Sequence, residues 1–70
     1  MSEHTYAITH LVGSSPEGID AAIRNGIHKA SQTLRNLDWF EVSEIRGYIG
    51  EASEVRDFQV TMKLGFRYDN

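Results

Sequence analysis

The sequence predicts an α+β fold in which a three-stranded antiparallel sheet of order 1-3-2 packs on a single helix. Three observations predict it: one amphipathic helix pattern, segments in the order strand, helix, strand, strand, and a length of 70 residues, enough for one core. The helix carries the chain back, so strands one and two run in the same direction and strand three runs opposite. Placing strand three between the other two makes every neighbouring pair antiparallel. We therefore expect residues 1–70 to form one β-α-β-β domain.

The first strand is predicted from Thr5 to Val12, where β-compatible residues precede the turn-forming cluster at positions 13–16. Its apolar residues alternate imperfectly with polar ones. The pattern therefore predicts a strand without showing which of its faces is buried.

The helix follows this cluster. Ser14 and Glu17 have the spacing of a capping box, and Pro16 falls where a first-turn proline is tolerated. Apolar residues then recur at helical spacing: Ile19, Ala22, Ile23, Ile27, Ala30 and Leu34. The helix is expected to end near Asn36. Gly26 in its middle costs about 1 kcal/mol relative to alanine and indicates either close approach by another chain or a tolerated imperfection.

Two long strands are predicted around the turn at positions 50–53. The later strand, Val55–Tyr68, alternates cleanly, with Phe58, Val60, Met62, Leu64, Phe66 and Tyr68 on one face. The earlier strand, Trp39–Ile49, begins in phase and then slips by one residue, which predicts a β-bulge near Ser43 and Glu44. One helix covers only one face of such a sheet, so we expect the other face to be incompletely buried and to meet a partner or ligand.

The chain's only tryptophan is predicted on the sheet face that the helix does not cover. An arginine and a glutamine are predicted beside it on the same face. The predicted outer residues are Trp39, Glu41, Glu44, Arg46 and Tyr48 on one strand and Gln59, Thr61, Lys63 and Arg67 on the other. An aromatic ring with planar hydrogen-bonding neighbours suits stacking on a planar ligand. Tryptophan is also enriched in subunit interfaces. The two interpretations are compatible if the ligand lies between subunits.

Composition excludes several classes of protein. A net charge of −3 and a pI near 5.4 argue against a general nucleic-acid binder. Without cysteine the chain has no disulfide and no thiolate metal site. No apolar run approaches the roughly 20 residues of a membrane span, and no signal-peptide core follows Met1, so we expect an intracellular location. A domain of this size is marginally stable alone, which leaves oligomerisation as the expected support.

The other chemistry-bearing residues favour ordinary structural roles. The three histidines, His4, His10 and His28, lack metal-ligand spacing. The acidic run of Asp38, Glu41 and Glu44 has no accompanying nucleophile and favours a solvated strand edge over an acid/base pair. The glycine- and serine-containing segment 13–18 is not a phosphate-binding motif. The sequence therefore predicts no enzyme active site.

The chain resembles the dodecin family over essentially its whole length. The residues that carry the resemblance are Leu37-Asp38-Trp39-Phe40-Glu41-Val42, Ile45-Arg46-Gly47, Phe58-Gln59-Val60 and Gly65-Phe66-Arg67, with Leu11-Val12-Gly13-Ser14-Ser15-Pro16 and Leu34-Arg35 in agreement. The resemblance implies a small flavin-binding protein without catalytic turnover that assembles as a hollow homododecamer. It also implies that flavins bind in pairs at two-fold interfaces, between tryptophans of two subunits.

The resemblance also implies roles for individual residues. Trp39 matches the stacking tryptophan, and Gln59 matches the glutamine that hydrogen-bonds the pyrimidine edge of the flavin. Arg46 matches a position associated with FMN, and Asp38 borders the ring site. A separate coenzyme A site is implied at Lys29, Thr33, Arg67, Tyr68 and Asp69.

The function that follows is FMN binding, storage and buffering in the cytoplasm, with photoprotection. Close stacking lets tryptophan donate an electron to the excited flavin and quench it. Riboflavin or other flavins are alternative ligands to FMN. Neither nucleic acid nor membrane is an expected partner. The alternative is a structural oligomerisation or protein-interaction module without ligand, in which Trp39 only packs an interface. A small enzyme is the third hypothesis, disfavoured because no nucleophile–base pair is present.

Overall fold

The computed structural model describes residues 3–68 and has the predicted β-α-β-β order. Its elements are β1 (Tyr6–Ser15), α1 (Ile19–Ala30), β2 (Leu37–Ile49) and β3 (Val55–Arg67). β3 lies between β1 and β2, and both pairings are antiparallel. The predicted fold and strand order are confirmed. No helix in the described part of the chain combines the length and apolar character that crossing a bilayer requires.

β1 is three residues longer at its end than the sequence pattern predicted. Residues 13–15, expected to form a turn, instead continue the ladder opposite residues 58–60 of β3. The reason is pairing with the long β3 strand, which offers backbone partners that outweigh local turn propensity. Gly13 also has a packing role, since a β-carbon there would overlap the carbonyl oxygen of Ala22. Helix and strand meet closely because this residue has no side chain.

The predicted capping box is wrong because Ser14 belongs to β1. Gly18 is the N-cap and makes no side-chain cap hydrogen bond; its carbonyl accepts the first helical bond from the Ala22 amide at 3.0 Å. The Glu17 amide instead donates to Ser15 Oγ at 3.0 Å, just before the helix. Pro16 thus precedes the helix rather than occupying its first turn. The serine hydroxyl that accepts a backbone hydrogen bond before the helix is therefore that of Ser15, not that of Ser14.

The helix ends at Ala30 rather than near Asn36. The Leu34 amide still donates to the Ala30 carbonyl at 2.9 Å, so the chain makes one more turn beyond α1. Leu34 packs against the core, which explains why the apolar spacing continued to this residue. Asn36 then has a φ of 64°, a left-handed conformation that asparagine tolerates better than most residues. This residue turns the chain into β2.

Gly26 is used for close packing inside the chain. It is buried, and an added β-carbon would lie 2.9 Å from Leu11 Cδ1, 3.0 Å from Met62 Cε and 3.3 Å from the Gly13 α-carbon. The close approach is therefore made by the chain's own sheet. The hypothesis that another chain approaches Gly26 is replaced by this contact.

The core lies between α1 and the inner face of β1 and β3. Its buried apolar residues are Ala22, Ala30, Val60, Met62 and Leu64, with Leu11, Ile23, Ile27, Leu34 and Leu37 packed against them. The predicted inward face of β3 is confirmed for Val60, Met62 and Leu64, whereas Tyr68 lies beyond the end of β3 and is 75% exposed. The predicted bulge is also confirmed, since the register of β2 against β3 shifts between Val42 and Glu44. This shift places Ile45 opposite Val60 and restores the apolar phase.

β2 is exposed on both of its faces, which the sequence did not predict. The helix packs on β1 and β3 and leaves the inner side of β2 largely uncovered. Phe40, Val42 and Ile45 on that side are 47%, 36% and 55% exposed. A contiguous apolar surface of this kind is typical of an interaction site.

Candidate functional site

The outer face of the sheet, defined as the side away from α1, carries the polar residues and the tryptophan. Residues directly opposite in the ladders share a face, so the face comprises Tyr6, Ile8, His10, Val12 and Ser14 of β1, Trp39, Glu41, Glu44, Arg46 and Tyr48 of β2, and Asp57, Gln59, Thr61, Lys63, Gly65 and Arg67 of β3. Trp39, Arg46 and Gln59 therefore lie on one face, as predicted.

Trp39 lies over a glycine of the neighbouring strand. Its partner in the ladder is Gly65, and a β-carbon on Gly65 would overlap the indole atoms Cε2 and Cζ2 and lie 2.6 Å from Cδ2. Gly65 itself is buried, whereas Trp39 is 38% exposed. The ring thus rests with one side against the sheet backbone and leaves its other side open to a planar ligand.

Arg46 and Gln59 form a second group on the same face. They are directly opposite in the β2–β3 ladder. The Arg46 guanidinium donates through Nη2 to Glu44 Oε1 at 2.7 Å, and the two side chains are 45% and 64% exposed. Gln59 can offer a donor and an acceptor together, and Arg46 offers a planar cationic fork. This group suits a ligand with a polar heterocyclic edge and an anionic tail.

The tryptophan and this second group are far apart within one chain. The ladder partner of Trp39 is Gly65 and that of Arg46 is Gln59, six residues along β3. At about 3.3 Å per residue the separation is roughly 20 Å. The expectation that Trp39 stands beside Arg46 and Gln59 is wrong within a single chain, because strand alternation specifies a face and not a position along it.

Asp38 lies at the start of β2, next to the stacking ring. It occupies the irregular step of the ladder between Leu37 and Trp39. Its Oδ2 accepts a hydrogen bond from the Tyr6 hydroxyl at 3.0 Å. Tyr6 was not identified from the sequence, because the imperfect pattern of β1 did not show which of its residues share the outer face.

The three carboxylates of the acidic run have separate partners. Asp38 accepts from Tyr6, Glu44 pairs with Arg46, and Glu41 Oε1 lies 3.2 Å from Lys63 Nζ across the β2–β3 ladder. The side chains of Glu41 and Glu44 are 63% and 64% exposed. Solvated carboxylates in separate ion pairs are surface groups, and this arrangement differs from that of a coupled acid/base pair.

Two of the residues assigned to coenzyme A lie together. Lys29 and Thr33 line an open depression of about 550 Å³ between the end of α1 and β1. Arg67 is the last residue of β3 and Tyr68 follows it, and neither residue lines this depression. The Tyr68 amide donates to the Thr5 carbonyl at 2.8 Å. Asp69 lies outside the described residues. The structure therefore brings together part of this set only.

The histidines are separated along the chain, at positions 4, 10 and 28. The imidazole of His4 lies edge-on to the ring of Tyr6, with centroids 6.4 Å apart. Between residues 3 and 68, no three His, Asp or Glu side chains are grouped so that they could hold a metal ion.

Comparison with known proteins agrees with this fold. The model of the Dodecin family matches residues 5–69. A dodecin from Thermus thermophilus is 53% identical over 64 residues, which cover 91% of each protein. The solved structure of dodecin from Streptomyces davaonensis is 61% identical, with a TM-score of 0.92, and the alignment covers 99% of this chain and 100% of that one. Dodecin from Streptomyces coelicolor is 54% identical, also with a TM-score of 0.92, over 100% and 99% of the two chains.

The fold defines a small α+β protein with one helix on one face of its sheet and the candidate site on the other. The chain belongs to the dodecin family. This is a family of small binding and storage proteins, known to bind flavins or similar small ligands. Assembly into an oligomer agrees with this membership and with the uncovered β2 strand.

Proposed function

We propose that this protein binds FMN, stores and buffers it, and protects the cell from flavin photochemistry by quenching. The observation that carries the proposal is Trp39, the only tryptophan, seated over Gly65 with one side of its ring open on the polar face of the sheet. A flavin ring stacked there lies against an electron donor. Electron transfer from the indole would return the excited flavin to its ground state before it generates reactive oxygen.

The binding unit in this proposal is a pair of subunits. Trp39 of one subunit can cover only one face of a flavin ring. The other face of the flavin must then be covered by a second flavin or by a second copy of the chain. Trp39 and Gln59 are also too far apart, at roughly 20 Å, to contact the same ring system from one chain. A two-fold axis exchanges equivalent residues, so Trp39 of one copy can meet Gln59 of the other. This argument supports binding between subunits.

The polar residues divide the recognition of the ligand. The Gln59 amide would pair with the donor and acceptor on the pyrimidine edge of the ring. Arg46 would hold the phosphate, which suits a chain whose net charge is −3 and which needs a local cation for an anionic ligand. Asp38, held by Tyr6 beside the tryptophan, would border the ring.

The assembly in this proposal is a homododecamer in the cytoplasm. The apolar inner side of β2 and its free edge need partners, and further copies of the chain supply both. The absence of cysteine agrees with a reducing compartment. The coenzyme A site stays a prediction, supported by the shared depression of Lys29 and Thr33.

Titration of the purified, flavin-free protein with FMN tests the proposal. We expect saturable loss of FMN fluorescence, and the binding should disappear or weaken strongly in Trp39→Ala. Glu51→Gln in the β2–β3 turn is a matched control, because Glu51 is exposed and far along the hairpin from Trp39. An assembled protein that leaves FMN fluorescence unchanged would support the ligand-free oligomerisation module instead.

A further inference from the structure

The indole of Trp39 lies over Gly65 of β3. A β-carbon at this position would overlap ring atoms Cε2 and Cζ2, and these are the body of a rigid indole rather than the tip of a flexible chain. Ile8 lies opposite Gly65 on the other side, in β1, so Gly65 is the centre of a row that runs from β1 to β2. The ring therefore uses the gap that the missing side chain leaves.

The backbone of Gly65 does not require glycine for its conformation. Among residues 3–68 no glycine has a φ in the left-handed region, and Gly65 sits within the regular β1–β3 ladder opposite Ile8. Glycine inside a strand costs entropy and packs no side chain, and it commonly marks a close approach. Here the approaching group is the indole. The geometry thus assigns a role to the absent side chain itself.

We infer that Gly65 is the positioning residue for Trp39: it lets the indole lie on the sheet and keeps its outward side free. An alanine at this position would lift or tilt the ring. The consequence for flavin stacking rests on the proposed function, whereas the seating of the ring does not. The two parts can therefore be tested separately.

The near-ultraviolet circular dichroism of the flavin-free protein tests the seating. Trp39 is the only tryptophan, so the long-wavelength indole bands report its surroundings alone. Gly65→Ala is expected to change these bands. Gly18→Ala is the matched control, since an added β-carbon at Gly18 has no atom within 4 Å, and it should leave them unchanged. Indole bands in Gly65→Ala that match those of the unmodified protein would overturn the inference.

A double variant shows whether the effect passes through the ring. Gly65→Ala should lower the melting temperature when Trp39 is present and lower it much less in a Trp39→Ala background, where no indole is displaced. If Gly65→Ala alone fails to assemble, Trp39→Ala should rescue it. The same loss in both backgrounds, or no rescue, would mean that Gly65 acts through the backbone and would overturn the inference.

Flavin titration separates this inference from the proposed function. With the ring displaced, Gly65→Ala should bind FMN about tenfold more weakly or worse, and the bound flavin should be less quenched. Changed indole bands together with unchanged FMN affinity would confirm the seating and contradict stacking of flavin on Trp39. Unchanged indole bands with weaker FMN binding would overturn the seating.

Discussion

Single side chains on the outer face carry the proposed recognition, and Trp39 supplies its stacking surface. Trp39→Ala removes the stacking surface, so we expect a loss of flavin affinity of about 1–3 kcal/mol, the range measured for aromatic stacking on planar rings. The fluorescence of the remaining bound flavin should rise because the electron donor is gone. Fluorescence titration with FMN measures both effects. Unchanged affinity and quenching would assign Trp39 to interface packing.

Gln59 and Arg46 are expected to recognise different parts of the ligand. Gln59→Ala should weaken FMN and riboflavin equally, by about 1–3 kcal/mol, because the ring edge common to both is left unpaired. Arg46→Ala should weaken FMN more than riboflavin, and the FMN loss should shrink at high salt. Titrations of both flavins at two salt concentrations measure this. Equal losses of both ligands in Arg46→Ala would withdraw its phosphate role.

Glu44 is expected to oppose phosphate binding by holding Arg46. Arg46 Nη2 lies 2.7 Å from Glu44 Oε1. A phosphate that binds Arg46 would therefore compete with the Glu44 carboxylate for the guanidinium. Glu44→Gln should therefore raise FMN affinity about two- to fivefold, the range for an exposed ion pair, and leave riboflavin unchanged. Calorimetric titration with both flavins measures it. The gain should vanish when Arg46→Ala is also present; its persistence would show that Glu44 acts independently of Arg46.

Among the secondary-structure elements, α1 packs closely on β1 and β3 at two glycines. One of them faces backbone atoms and the other faces mainly side-chain atoms. Gly13 faces the backbone carbonyl of Ala22, which cannot move without shifting the helix. Gly26 faces mainly the side-chain ends of Leu11 and Met62, which can adjust. The two glycines therefore differ in how well they tolerate a methyl group.

We expect Gly13→Ala to destabilise the fold by about 1–3 kcal/mol, as overpacking does. Gly26→Ala should cost less, because alanine gains roughly 1 kcal/mol of helix propensity that offsets the tighter contact. Melting temperatures of the two variants, recorded side by side at equal concentration, measure the difference. Equal losses at the two positions would show that helix and strand can separate freely at Gly13.

At the scale of the whole molecule, one chain is too extended to be a self-contained domain. Its radius of gyration is 14.6 Å, whereas a compact chain of this length has about 11 Å. The longest dimension, 56 Å, exceeds the next, 21 Å, more than twofold. A small core and a long exposed hairpin agree with a protein stabilised by contacts between copies.

Assembly should therefore depend on the exposed inner side of β2. Ile45→Lys places a charge on this apolar side, and since Ile45 is 55% exposed in one chain, the subunit fold has room for it. We expect native mass spectrometry to show a particle of twelve chains, as the family resemblance implies, that falls apart in this variant. Ala52→Lys in the hairpin turn is the charge-matched control, because Ala52 is exposed and each substitution adds one positive charge. A variant that remains fully assembled would place the interface elsewhere.

Much of the site could be predicted because strand alternation is local. The phase of Phe40 and Val42, and its shift before Ile45, predicted that Trp39 and Arg46 share the outer face, and the β2–β3 ladder confirms it. The start and end of the helix could not be predicted. They depend on Ser14 pairing with β3 and on the left-handed turn at Asn36, and both arise from contacts between distant parts of the chain.

The amino-acid pattern was enough to predict the element order, the sheet order and the outer face for the residues of β2 and β3 named from it, because side-chain direction alternates residue by residue along a strand. The distances along that face became known only from the packed fold. Ladder register sets Trp39 six β3 residues away from Gln59, seats its indole over Gly65 and leaves β2 outside the cover of the helix. The register of the strands and the area that the helix covers arise from the packing of whole elements. A local sequence pattern does not predict them.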